Sequence, residues 1–344
     1  MKRFPLDVFA FDRKDGFAES TPEDATPASR PFTPAPNTMN LNRRQFAASA
    51  AMIPLAGMKS AEAVEEESPS FTFVHLTDPH VQPERGGADG LKQCLRAVNA
   101  LKPDFVITGG DLIMDALHVT EERAALEWKL CEECFAELEV PAHHVIGNHD
   151  IGGWSSRAKM DASSPWYGKS WFREHYGQGK TYRSFDHKGW HFILLDSIGQ
   201  IPGSPDYRGW IDAEQLKWLE ADLAQTGATT PIVIVTHIPF HTAMHQLTSN
   251  PTLQPLGPYA TVSNFHTVWK LLKRHNVQVI LSGHGHVREQ IQLGGLTHIQ
   301  SGAVCGLWWK GDVHGEDEAF NVIECSAGGF TSRFESFGWE VRRK

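Results

Sequence analysis

Five short apolar runs constrain this chain more than anything else in it, because each ends in a cluster of Asp, His or Asn. Residues 71–76 lead into Asp78-Pro79-His80, and residues 105–108 into Gly109-Gly110-Asp111. Residues 144–146 lead into Gly147-Asn148-His149-Asp150, residues 232–235 into Thr236-His237, and residues 277–281 into Gly283-His284-Gly285-His286. Apolar runs of this length read as strands buried on both faces, and another lies at 191–195. Segments of helical period separate several of them, at 90–101, 121–138, 212–224 and 262–275. Strands alternating with helices imply an α/β architecture with a sheet covered on its faces. Such sheets collect their ligands at the carboxyl ends of the strands. The five clusters are therefore expected to meet along one edge, with glycines before three of them allowing sharp turns. Beyond Gly283 the helical period stops, and residues 288–293, 296–300 and 319–324 read as antiparallel strands closing a second sheet.

The gathered residues offer carboxylate, amide oxygen and imidazole but no thiolate, a donor set that suits Fe, Mn or Zn. Composition agrees with that use. Eighteen His stand in 344 residues, whereas five Cys at irregular spacing do not make a disulfide framework. Cys131 and Cys134 form one CxxC inside a helical stretch, without the second pair that zinc would want, and are expected to be helix residues facing the core. The net charge is −9, from 32 basic and 41 acidic residues. That balance disfavours a nucleic-acid binder that works by bulk positive charge. A small anionic substrate stays open, because a bound cation could hold it.

Taken together, Asp78/His80, Gly109 to Asp111, Gly147 to Asp150, Thr236/His237 and Gly283 to His286 resemble the calcineurin-like metallophosphoesterases. All five motifs stand in that family's order, over roughly residues 71–302. The resemblance implies a four-layer α/β/β/α sandwich carrying two divalent or trivalent metal ions. It puts Asp78, His80, Asp111 and His286 on one ion and Asp111, Asn148, His237 and His284 on the other, with Asp111 bridging. It implies that Asn148 and His149 meet the substrate, that His149 is catalytic, and that Asp150 orients His149 by a hydrogen bond. Two such ions, about 3.5–4 Å apart, clamp both ends of an in-line phosphoryl displacement and acidify a water held between them, so that a bridging hydroxide becomes the nucleophile. The protein phosphatase branch carries Asp-Arg-Gly soon after its bridging Asp, but Asp111 is followed by Leu112-Ile113-Met114-Asp115-Ala116. Met114 stands where purple acid phosphatases have a ligating Tyr. What remains is closest to the branch that includes bacterial cyclic-nucleotide phosphodiesterases. The expectation is a hydrolase of small-molecule phosphate esters that prefers diesters. A phosphomonoesterase with the same centre is the alternative, and a non-catalytic metal-dependent binding protein is an alternative of another class.

The chain divides into an extension at 1–38, a signal-like segment at 39–63 and the phosphoesterase domain at 64–344. Arg43-Arg44-Gln45-Phe46, a mildly apolar run and Ala61-Glu62-Ala63 resemble a twin-arginine export signal, which implies the twin-arginine machinery as a partner and a periplasmic or extracellular location. A start at Met39 would give the short signal head usual for this type. The apolar run is shorter than the roughly 20 residues a membrane span needs, so no stable span is expected. Trp154, Trp166, Tyr167 and Trp171 suit either a packed insert or a platform for a base, and Trp308 and Trp309 share that ambiguity. His75 reads as a hydrogen-bonded core residue, and His241 and His245 as polar loop residues near the His237 strand.

Overall fold

The protein is described by a computed structural model covering residues 70–244 and 257–341. The segments at 1–38 and 39–63, and His245, lie outside the described residues. The first half runs β1 (Phe71–Leu76), α1 (Gly87–Leu101), β2 (Phe105–Thr108), α2 (Glu121–Phe135), β3 (Ala142–His144) and α3 (Ser170–His175). Next come β4 (Arg183–His187), β5 (Trp190–Leu194), β6 (Ile198–Gln200), β7 (Tyr207–Gly209), α4 (Ala213–Thr226), β8 (Ile232–Val235), α5 (Phe265–Leu272) and β9 (Val277–Ser282). The chain closes with β10 (Arg288–Leu293), β11 (Leu296–Ser301), β12 (Ala319–Ser326) and β13 (Gly329–Ser336). Capping fixes two of the helix starts. The Thr120 side chain accepts from the Arg123 amide at the head of α2, where Glu121 and Glu122 also complement the helix dipole. Asp212 accepts from the Gln215 amide, 2.8 Å away, at the head of α4.

Two sheets result, in the orders β13-β12-β1-β2-β3 and β10-β11-β9-β8-β5-β4, with β6 and β7 forming a small ribbon. The parallel neighbours are β1, β2 and β3 in one sheet and β5, β8, β9 and β11 in the other. Because strand side chains alternate between faces, each sheet divides its apolar residues between two cores. Phe71, Phe73, Phe105 and Ile107 of the first sheet join Phe192, Leu194, Val233, Val235, Val279 and Leu281 of the second in an inner core between the sheets. Val74, Leu76, Val106, Ile193, Ile234 and Ile280 point the other way and pack with helix residues such as Leu91, Leu95, Trp128, Leu219 and Leu272. The architecture is thus an α/β/β/α sandwich. The rings of Phe73 and Phe105 stack at 5.3 Å inside it, and burying each such side chain is worth roughly 1.5–3 kcal/mol.

The tail differs from the sequence expectation. Only β10 and β11 extend the second sheet. β12 crosses to the first and pairs antiparallel with β1, Phe73 opposite Ile323, and β13 then covers its edge. The third ligand-bearing strand ends earlier than expected, at His144; the Val145 amide makes one last bond to Thr108 O, at 3.2 Å, before the chain turns into the strand-end loop. All five cysteines are free and buried, Cys131 and Cys134 on α2 among them. No helix among the described residues is long and apolar enough to cross a membrane.

Candidate metal centre

Both sheets send their strand ends to one place. The first supplies Asp78 and His80 after β1, Asp111 after β2, and Asn148 with His149 after β3, while the second supplies His237 after β8 and His284 with His286 after β9. Asp78, His80, Asp111, His284 and His286 all have positive φ, between 41° and 74°. Non-glycine residues avoid that region at a cost of order 1–3 kcal/mol each, and persist there only where the surroundings hold them. Here the loops brace one another: the Asp78 amide donates to Gly110 O at 3.0 Å and the His80 amide to Asp111 O at 3.1 Å. Gly147 is required by close approach, since a Cβ there would lie 2.1 Å from the Asp111 carboxylate. That approach also lets the His149 amide donate to Asp111 Oδ1 at 2.8 Å.

The ligand atoms form two groups that share Asp111. In one, His80 Nε2 lies 3.2 Å from His286 Nε2 and 3.5 Å from Asp111 Oδ2, and His286 Nε2 lies 3.3 Å from Asp78 Oδ1. In the other, His237 Nε2 lies 3.0 Å from Asn148 Oδ1 and 3.2 Å from Asp111 Oδ2. His284 completes it, with a ligand atom within 4.8 Å of those of Asp111 and His237. Tautomers follow from the far ring atoms. His237 Nδ1 meets Gly109 O at 2.8 Å and His286 Nδ1 meets Gly306 O at 2.7 Å. A carbonyl only accepts, so both Nδ1 atoms carry a proton and Nε2 is the atom turned to the centre: in the metal-free protein it is a site that a proton can hold against Asp111 or Asp78, and it offers a lone pair once a cation displaces that proton. Lone pairs converging in this way fit a cation between them, and the mixed N/O donors suit divalent Fe, Mn or Zn.

Electrostatics point the same way. Burial raises the cost of charging every group, yet nearby imidazoles hold Asp111 well below the usual carboxylate range, and His286 holds Asp78 at about 2. Burial also opposes protonation of His237, but the charge of Asp111 and the hydrogen bond to it raise that imidazole to about 9. Burial wins at His80 and His284, which fall to about 3. Two buried carboxylates thus make a strongly cation-attracting field in a chain that is acidic overall.

His149 stands beside this centre, its ring 4.9 Å from that of His80 and nearly perpendicular. Burial works against its charge, but Asp111 and Asp115 outweigh it and raise the imidazole to about 9. The carboxylate at His149 Nδ1 is Asp115, whose Oδ1 lies 3.6 Å away in an ion pair. This corrects the expectation for Asp150. Asp150 accepts instead from three backbone amides, Gly147 at 2.8 Å, Leu112 at 2.8 Å and Ile113 at 3.3 Å, tying the third strand-end loop to the second. The only hint in the sequence was an Asp at the end of Leu112-Ile113-Met114, a run with no other polar group.

The aromatics divide. Trp166 stacks on Trp171 at 3.6 Å, Trp171 on His175 at 3.5 Å, and Trp154 packs against the outer core beside Lys169. Trp309 is a residue whose role the sequence hid: its indole N–H donates to Pro79 O at 3.0 Å and His80 O at 3.2 Å, holding the first ligand loop from behind. Gly90 on α1 makes room for it, since a Cβ there would fall 2.2 Å from that ring. His75 is a core residue bonded through Nδ1 to Ser301 Oγ at 2.7 Å. His241 packs on Phe265 and His298, away from the ligands.

The protein-family model described as calcineurin-like phosphoesterase matches residues 71–288. Among solved structures, a dimetal phosphatase from Danio rerio superimposes with a TM-score of 0.54 at 17% identity, covering 78% of this chain and 99% of that one. GAP50, the anchor in the inner membrane complex of Plasmodium, superimposes with a TM-score of 0.51 at 16% identity, covering 78% of this chain and 85% of its own. At such identities the likeness is one of fold. No curated protein matches the chain.

Proposed function

The chain belongs to the calcineurin-like phosphoesterase family, and on that premise we propose that it is an exported two-metal hydrolase of small phosphate esters with a preference for diesters. One observation carries the metal-dependent reading: the Nε2 atoms of His80, His237 and His286 converge on Asp78, Asp111 and Asn148 at 3.0–3.5 Å, with two Nδ1 positions fixed by carbonyls. Asp78, His80, Asp111 and His286 would hold one ion, and Asp111, Asn148, His237 and His284 the other. When bound, the ions supply the positive charge that polarises a phosphoryl group and acidifies a water. Fold alone does not decide turnover, since a phosphatase and an anchor protein share it. The full ligand set together with His149 supports catalysis over mere binding.

The chain's own residues then divide the work. Asp111 lies between the two groups and takes the His149 amide on Oδ1, which leaves Oδ2 to the centre. Asp115 lies 3.6 Å from His149 Nδ1, an ion-pair and not a hydrogen-bond distance, and with Asp111 it favours the protonated ring, whose Nε2 is then the atom to donate to a phosphoryl oxygen or to the departing alkoxide. Asp115 is a positioning residue: it also accepts from the Leu117 and His118 amides, at 2.9 and 3.1 Å, and is fixed before substrate arrives. Asn148, adjacent in sequence, is well sited to touch both an ion and the substrate.

The diester preference rests on resemblance in the motifs, on the lack of an Asp-Arg-Gly step and on Met114 in place of a ligating Tyr. Parallel assays of the metal-loaded protein with bis-p-nitrophenyl phosphate and p-nitrophenyl phosphate test it, with faster turnover of the first expected and a large excess of the second overturning it. Export rests on the Arg43-Arg44 signal. Replacing both arginines by lysine should hold the protein in the cytoplasmic fraction, and unchanged fractionation would refute this route.

A further inference from the structure

Two consecutive tryptophans follow the β11 strand end, and both have positive φ, 49° at Trp308 and 64° at Trp309. For large side chains this is a true outlier, and the strain calls for a compensating contact or a use. Trp309 has its compensation: it is fully buried, and its N–H is spent on Pro79 O and His80 O. Trp308 is only half-buried, and its indole N–H has no hydrogen-bond partner among the described residues. What its backbone does accomplish is to bring the ring to the metal centre. The indole centroid stands 5.3 Å from the His286 ring and 6.3 Å from the His80 ring. The ammonium of Lys310, an exposed residue, lies 5.8 Å from that indole. His80 is also the imidazole against which His149 sets its own ring, so Trp308, His80 and His149 follow one another along one side of the centre.

We propose that Trp308 is the platform on which a planar group of the substrate stacks, so that this site takes phosphate esters of nucleosides or aryl alcohols in preference to those of simple polyols. The inference rests on the phosphoesterase reading. Every base has a π face, so one indole accepts any of them without hydrogen-bond readout. Lys310, whose ammonium stands 5.8 Å from the ring centroid, is exposed and long enough to swing from the indole to the phosphate of a bound ester.

The test uses matched esters with and without a base: adenosine 2′,3′-cyclic phosphate against glycerol 1,2-cyclic phosphate, and adenosine 3′-monophosphate against glycerol phosphate. The native metal-loaded protein should favour the adenosine member of each pair. Trp308→Leu should raise KM for the adenosine esters by roughly five- to a hundredfold, with kcat and the glycerol esters little changed. Trp308→Phe should restore most of the difference, which separates stacking from a support role for His80 and His286. Equal losses on both kinds of ester, at unchanged melting temperature and metal content, overturn the platform. So does a native protein indifferent to the base. If the native protein turns over none of the four, nor the nitrophenyl esters, the hydrolase reading itself falls and the platform with it.

Discussion

His191 and the histidines of the centre are the same side chain, each in the company of aspartates, yet their two ring nitrogens are used differently. His191 on β5 places Nδ1 2.6 Å from Asp186 Oδ1 and Nε2 2.9 Å from Asp222 Oδ2, so two protons on one ring satisfy the whole cluster. His237 and His286 spend Nδ1 on a backbone carbonyl and turn Nε2 toward a crowd of acceptors. Among the described residues, every group of three or more ligand atoms within 4.8 Å of one another includes a residue of that crowd, and one of the groups adds the buried thiol of Cys305 to His80 and His286. The difference teaches that composition does not make a metal site. Convergence of several Nε2 and carboxylate atoms on one point does, and at His237 and His286 a carbonyl on the far nitrogen helps by turning Nε2 to the centre.

Asp111→Ala is the change that should hurt most. It removes the one carboxylate common to both groups, so metal content by elemental analysis and turnover should vanish together; retention of both ions would break the assignment. His149→Ala should keep the ions while turnover drops by roughly 10²–10⁴, the range for a lost proton donor. Equal metal loss in the two variants would erase the boundary between holding the ions and serving the substrate.

Asp115 and Asp150 sharpen the comparison one layer further out, where the sequence misled. Asp115→Asn should lower kcat by roughly 10- to 100-fold, as partners of working histidines do, with little change in melting temperature. Asp150→Asn should do the reverse. Its carboxylate accepts three backbone amides, and an amide side chain presents one oxygen where two were used, so about 1–3 kcal/mol of stability should go. Burial first, and then the charge of Asp111, raise Asp150 to about 7, so that carboxylate is already held at some expense. If Asp150→Asn instead lost activity at full stability, the orienting role would return to it.

These two aspartates also mark how far the sequence could be read. The strands at Phe71–Leu76, Phe105–Thr108 and Ile232–Val235 were legible to the residue, because an unbroken apolar run is a local signal. The meeting of the strand-end clusters was legible within each sheet, since parallel strands share an edge, but the division of the five between two sheets is not written in the strand pattern. The partner of His149 was not legible, because Asp115 reaches it from another loop, while the adjacent Asp150 turns to the backbone. Sheet membership of the tail failed for the same reason. Pairing of Phe73 with Ile323 joins residues from opposite ends of the domain, and nothing local in residues 319–326 says which of two sheets they enter. Trp309 looked like Trp308 in sequence, and only the carbonyls of Pro79 and His80 tell them apart.

The smallest effect belongs to the self-satisfied cluster, and it is a matter of pH. Burial works against the charge of His191, but hydrogen bonds and charge from Asp222 and Asp186 outweigh it and raise its pKa above the ordinary 6.5. A group whose folded pKa is raised binds its proton more tightly in the folded state. Its contribution is therefore complete below about pH 6.5 and is lost as the pH climbs through the raised folded value. Asp186 is largely exposed, so that arm is screened, and the Asp222 arm carries most of the effect. His191→Gln should cost about 1 kcal/mol at pH 5.5 and progressively less on the alkaline side, with turnover and metal content untouched. Denaturant melts of the two proteins across pH 5–9 measure this directly. A loss that did not shrink with rising pH would mean that the ring is held by packing and not by its two protons, and His191 would then no longer serve as the counterpart to the centre.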